Sequence, residues 1–123
     1  MAIFGARSLA QLATCHDDIA RVLAAAIKEY DFSVLKGHRP KSEQNACHAS
    51  GASQLRWPAS LHNHQPSLAV DIVSYPVDWE SLNRFHDLAE VVKKHAADCD
   101  VNLVWGYDLW RWDMPHWQIN REE

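Results

Sequence analysis

A chain of 123 residues, 47% hydrophobic and 23% charged, fits one soluble domain able to bury a core without staples. Its net charge of -4, with eight His counted neutral, argues against broad contact with DNA or RNA, which needs a basic face. Three widely separated Cys without a Cys-x-x-Cys do not make a disulfide framework, and no stretch approaches the roughly 20 apolar residues that span a bilayer.

Residues 1–7 hold no apolar run of signal-peptide type, so synthesis in the cytoplasm is expected. Ser8 is placed to cap a short helical turn over residues 9–13. Asp17 and Asp18 then sit where acidic side chains favour a helix start, and Ile19, Val22, Leu23, Ala26, Ile27 and Tyr30 follow at helical spacing. The short apolar run 32–35, between Asp31 and Gly37, reads as a strand, and 41–49 as a short helix ending near Gly51. Residues 51–66 have no period and read as a long loop, a length that is often functional in compact domains.

Residues 68–74 form a strand with Asp71 at its middle. Asp78 is a candidate N-cap for a helix whose buried stripe is Leu82, Phe85, Leu88, Val92 and Ala96, ending near Cys99. Residues 101–105 make another strand, Gly106 turns, and 116–119 is a last short strand. The order predicts a single α+β domain over residues 1–123, with a small, mainly antiparallel sheet packed against helices.

An Asp inside Ala69-Val70-Asp71-Ile72-Val73 enters a half-buried environment, where a lone carboxylate is costly unless paired or metal-bound. A solvent-facing Asp on an edge strand is the bland alternative. His62 and His64 both lie just before that strand, and either could fold back onto Asp71. Near the C-terminus, Asp113 precedes His116 by three residues across Pro115. Two His, one carboxylate and a further acid make a familiar catalytic zinc set, with the fourth position open to water. Zinc lowers the pKa of that water and polarises a carbonyl, and a nearby carboxylate can relay the proton. By spacing alone this is weak. His16, His48, His86 and His95 read as ordinary surface or helix-end residues. Trp105 reads as core, while Trp110 or Trp112 could rim a cleft.

The specificity lies in linked motifs running in order through most of the chain: Gly37-His38-Arg39, Gln44, Gly51-Ala52-Ser53, Ser60-Leu61-His62, Ala69-Val70-Asp71, Trp105-Gly106 and Asp113-Met114-Pro115-His116. The series resembles the D-alanyl-D-alanine carboxypeptidase and dipeptidase metallopeptidases (VanY and VanX types). Within them it is most similar to bacteriophage endolysins that act as L-alanyl-D-glutamate peptidases. The resemblance implies zinc on His62, Asp71 and His116, Asp113 as general base, Arg39 on a substrate carboxylate or developing oxyanion, and Gln44 lining the same cleft.

In many relatives the ligand Asp lies seven positions after the ligand His. Here that interval fits His64, while His62 lies nine before Asp71. The Ser-x-His context favours His62. The implied partner is bacterial peptidoglycan, met by a monomer without nucleic acid or membrane, after release from the host cell with a separate holin. The alternatives are a D-alanyl-D-alanine carboxypeptidase and a non-catalytic zinc-containing binding module. A metal nuclease fits the acidic chain poorly, and neither His-Glu-x-x-His nor Gly-x-Ser-x-Gly is present.

Overall fold

In the computed structural model, which describes residues 2–120, helix α1 spans Ala6–Leu12 and α2 spans Asp17–Ala26. Ser8 lies inside α1 rather than capping it. Its hydroxyl is buried and accepts the Val34 backbone N–H at 2.9 Å, which ties the helix to strand β1, Phe32–Lys36. The ring Nδ1 of His16 caps α2 by accepting the Asp18 N–H, and the expected apolar face from Ile19 to Ile27 is buried. Helix α3, Lys41–Ser50, ends at Gly51 with φ 84, a left-handed stop that glycine adopts without strain.

The loop after Gly51 contains one short 3-10 turn, Leu61–Asn63, closed by a reciprocal capping box between Ser60 and Asn63. Strand β2 follows over Ala69–Ser74, then helix α4 over Leu82–Asp98. The α4 cap is Ser81, without a side-chain bond. Asp78 instead accepts the Glu80 N–H in the preceding turn, because the chain turns once more before the helix begins. Leu82 is 56% exposed, so the buried stripe starts at Phe85 and runs through Leu88, Val92 and Ala96. Strand β3, Leu103–Trp105, leads into a five-residue helix α5, Gly106–Trp110, where the sequence suggests only a turn. Strand β4 is His116–Ile119.

The sheet order is β1-β2-β4-β3, and each neighbouring pair is antiparallel. This is the α+β layout expected from the sequence. Because side chains alternate across a strand, each central strand is divided between two faces. Val70 and Ile72 of β2 and Trp117 of β4 belong to the core with Leu23 of α2 and Leu88 and Val92 of α4, all at most 2% exposed. Full burial of an aliphatic side chain contributes about 1.5–3 kcal/mol. Asp71, His116 and Gln118 lie on the opposite face.

Candidate metal centre

The cross-strand register sets the centre. Asp71 and His116 are direct partners of the β2–β4 ladder, so their side chains leave the same face side by side. Asp71 Oδ1 lies 3.4 Å from His116 Nδ1 and 3.3 Å from His62 Nε2. His62 arrives from the 3-10 turn, 3% exposed, with its ring centroid 5.2 Å from that of His116. These three residues each offer one ligand atom, all within 4.8 Å of one another. His64, two residues on, is exposed and outside the cluster.

Each ring is held by its other nitrogen. His62 Nδ1–H donates to the Gly37 carbonyl at 2.8 Å, and His116 Nε2–H donates to Gln118 Oε1 at 2.9 Å. Both tautomers therefore leave a lone pair directed at the centre, the usual support for histidines that bind metal. Gly37 packs against the end of α1 because it has no Cβ: one would collide with Thr14 Oγ1 and lie 2.5 Å from the Gln11 carbonyl. Just before it, β1 bulges at Leu35, where Val34 faces Ile72 and Lys36 faces Asp71.

Arg39 stands on the β1 side of the centre, its side chain 14% exposed, with NH2 3.7 Å from Asp71 Oδ2. Its backbone N–H donates to the His62 carbonyl at 2.7 Å and its NH1 to Gln44 Oε1 at 2.9 Å. Gln44, expected along the cleft wall, is fully buried behind Arg39 instead. Its amide Nε2 donates to Ser53 and the Leu55 carbonyl, and its Oε1 also accepts from Asn63. Every polar atom of that side chain is engaged, so Gln44 positions the arginine and ties α3 to the long loop.

On the other side, the turn carrying Asp113 is pinned by Trp105 Nε1, which donates to the Met114 carbonyl at 2.6 Å. Gly106 lies under the same turn: a Cβ there would be 2.7 Å from the Asp113 carbonyl and 3.0 Å from His116 Cβ. Arg39, His62, Asp71, Asp113, His116 and Gln118, with Trp110 and Trp112 at the mouth, line one cleft of about 550 Å³.

Electrostatics separate the two carboxylates. Burial alone would raise Asp71, but the adjoining rings of His116 and His62 outweigh it and hold Asp71 well below the usual carboxylate range. Asp113 goes the other way: burial lifts its pKa, and Asp71 adds to the rise against the opposing pull of His116, His62 and Arg39. Burial would lower His116, yet the Asp71 carboxylate beside it raises it. The two carboxylates of one cleft are thus pushed in opposite directions.

The remaining polar residues have other duties. His95 pairs with Glu29 at 2.8 Å, and His86 packs edge-on against Trp105. Burial pushes the Cys15 thiol up to about 11, which leaves it inert at neutral pH. Gln118 and the Gly37 carbonyl are site groups that the motifs do not disclose. Gln118 has a signal nonetheless, since two residues beyond His116 in a strand it shares its face.

A family model described as phage L-alanyl-D-glutamate peptidase matches residues 1–122 of the chain. The L-alanyl-D-glutamate peptidase of Escherichia phage T5 is 28% identical over 110 residues, covering 85% of this chain and 80% of that protein. The crystal structure of the Serratia marcescens L-Ala D-Glu endopeptidase ChiX superposes with a TM-score of 0.82 at 32% identity, covering 96% of this chain and 90% of that one.

Proposed function

The chain belongs to the phage L-alanyl-D-glutamate peptidase family, and on that premise we propose that it is a zinc-dependent hydrolase of the bond between L-alanine and D-glutamate in the stem peptide of bacterial peptidoglycan. The observation that carries the metal is the convergence of His62 Nε2, Asp71 and His116 Nδ1, with both rings anchored from behind. His62 Nε2 is buried and has no hydrogen-bond partner: with Nδ1–H given to Gly37 it carries a lone pair, and the Asp71 oxygen 3.3 Å away is an acceptor too. A buried polar atom is costly to leave so. Two imidazoles and one carboxylate suit zinc, with room for a further ligand from the cleft.

When bound, zinc supplies Lewis acidity toward the scissile carbonyl and lowers the pKa of the attacking water. Asp113, set across the cleft, accepts the water's proton and returns it to the leaving nitrogen of D-glutamate; its raised pKa suits a group that must hold the proton in between. Arg39 presents its guanidinium to a substrate carboxylate, in a direction set by Gln44. The chain works as a monomer, is made in the host cytoplasm and reaches the wall through a separate holin, so that wall degradation lyses the host. Among the described residues no helix is long and apolar enough to cross a membrane.

Digestion of purified peptidoglycan, with mass spectrometry of the fragments, tests this directly. New N-terminal D-glutamate on the released peptides is the expected product. Release of terminal D-alanine alone would replace the endopeptidase by a D-alanyl-D-alanine carboxypeptidase, and intact wall would leave a zinc-containing binding module.

A further inference from the structure

Two large indoles stand half out of the protein at the mouth of the cleft: Trp110 is 46% exposed and Trp112 is 55% exposed. Solitary exposed apolar residues are common, but these form a pair with ring centroids 6.2 Å apart at 33°. Arg111 between them takes a left-handed conformation, φ 67, unusual for a residue with a side chain. It is held there by its N–H bond to the Tyr107 carbonyl at 2.8 Å and by its guanidinium over the Tyr107 ring. The backbone is thus committed to presenting the two rings together. Trp110 also lies 5.5 Å from the His116 ring, so the aromatic surface begins at the metal centre itself.

The sheet order gives the cleft a polarity. Arg39 follows edge strand β1, Asp71 and His116 lie on the central strands β2 and β4, and the Trp pair hangs from the segment after the other edge strand, β3. One end carries the Arg39 guanidinium, flanked by Glu43 at 3.5 Å and Asp71 at 3.7 Å. The other is aromatic, with the carboxylate of Asp113 beside it. The substrate has the same asymmetry about the L-alanyl-D-glutamate bond. On the leaving side, D-glutamate and the residue after it carry free carboxylates. On the acyl side there is one alanine, then the lactyl ether of the muramyl group, then its N-acetylated pyranose. Alanine and the lactyl unit together span at most about 7 Å, so the sugar lies about two residue lengths from the reacting carbonyl, within reach of the outer part of the same cleft.

We infer that Trp110 and Trp112 form a subsite for the N-acetylated muramyl sugar that carries the stem peptide, and that Arg39 marks the opposite, carboxylate-binding end. The inference rests on the peptidase reading and adds the direction in which the substrate lies. The apolar face of a pyranose stacks on an indole, and neither end of the substrate suits the other end of the cleft: Asp113 repels carboxylates, and a guanidinium gains little from a neutral sugar.

The test compares two substrates, N-acetylmuramyl-L-alanyl-γ-D-glutamyl-diaminopimelate and its sugar-free counterpart N-acetyl-L-alanyl-γ-D-glutamyl-diaminopimelate. Wild-type zinc-loaded protein should cleave both at the alanyl-glutamate bond and prefer the muramyl form. Trp112→Ala, chosen because Trp112 does not touch a ligand, should lower that preference by roughly five- to tenfold through KM rather than kcat. Trp112→Phe should keep most of it, with zinc content and Tm unchanged in both variants. An equal loss on both substrates, or no change in the ratio, overturns the subsite. A wild-type enzyme that cleaves both substrates with no preference overturns it too, while leaving the peptidase reading intact. A wild-type enzyme that cleaves neither overturns the peptidase reading, and the subsite with it.

Discussion

The two faces of the central strands are made from adjacent residues and do opposite things. Val70, Ile72 and Trp117 turn toward α2 and α4 and are at most 1% exposed. Asp71, His116 and Gln118, their immediate neighbours in sequence, meet on the other face around two polar contacts. The apolar face gains free energy from burial alone. The polar face gathers a carboxylate and two imidazoles whose mutual approach is compensated only partly by hydrogen bonding. A period of two lets a four-stranded sheet carry stability and reactivity on the same backbone with little interference between them.

Removing a ligand is the strongest way to break that separation. His62→Ala should bring zinc content and wall hydrolysis to background while the metal-free melting temperature changes little; His64→Ala should keep both metal and activity. Loss of zinc in His64→Ala alone would move the ligand assignment. Next comes Asp113→Ala, which should retain zinc and fold but lower turnover by roughly 100- to 10,000-fold. If Asp113 only shapes the turn before Pro115, the same variant would hydrolyse wall almost normally and lose about 0.5–2 kcal/mol of stability, as for a lost cap. Melting, metal analysis and hydrolysis on one preparation distinguish these.

Gln118→Ala sharpens the comparison by touching the polar face one step from the metal. Freed of its Nε2 partner, His116 should bind zinc about 10- to 100-fold more weakly, seen by competition with a chromogenic chelator, with little change in Tm of the metal-free protein. The apolar face should respond in the reverse sense. Leu88→Ala should cost about 2–5 kcal/mol in denaturant unfolding, yet zinc affinity below the melting transition should stay near wild type. Coupled losses in that variant would show that the two faces are not separable.

The smallest effect is on pH. In metal-free protein the lowered Asp71 contributes stability that is present above its ordinary value of 3.8 and is lost as pH falls through the folded value. The raised His116 contributes stability that is complete below 6.5 and is lost as pH rises through its folded value. Metal-free protein should therefore gain most from this pair between those two values, and Asp71→Asn should flatten the dependence. Zinc competes with the His116 proton, so the stabilisation by zinc should grow as pH rises over the same range. Thermal melts of both forms across pH 4–8 check the sign.

Much of this architecture is legible along the chain because it depends on local period. The stripe Ile19, Val22, Leu23, Ala26 needs only 3.6-residue spacing, and Asp71 stands out because a charge interrupts an apolar strand. The linked motifs around His62, Asp71 and His116 point to the family, which the match over residues 1–122 bears out. Helix α5 is not legible, since five residues hold too little of a period to register, and Gly106 at its start reads as a turn. The role of Ser8 is equally hidden: its partner Val34 is 26 residues away, and local rules offer capping as the default.

What the sequence by itself determined is therefore the set of elements, the apolar faces and the residue types available for a metal. Which of them meet was decided by tertiary structure, since cross-strand register, loop path and backbone carbonyls leave no mark on residue identity. That His62 rather than the better-spaced His64 stands beside Asp71 depends on a 3-10 turn that aims one ring at Asp71 and leaves the other in solvent. The carbonyl of Gly37 that fixes its tautomer belongs to a backbone every residue shares. Gln44 looks like a cleft residue until packing places its amide among four partners behind Arg39. A buried amide is satisfied only by groups that come from three separate segments, and that assembly exists only once the chain has folded.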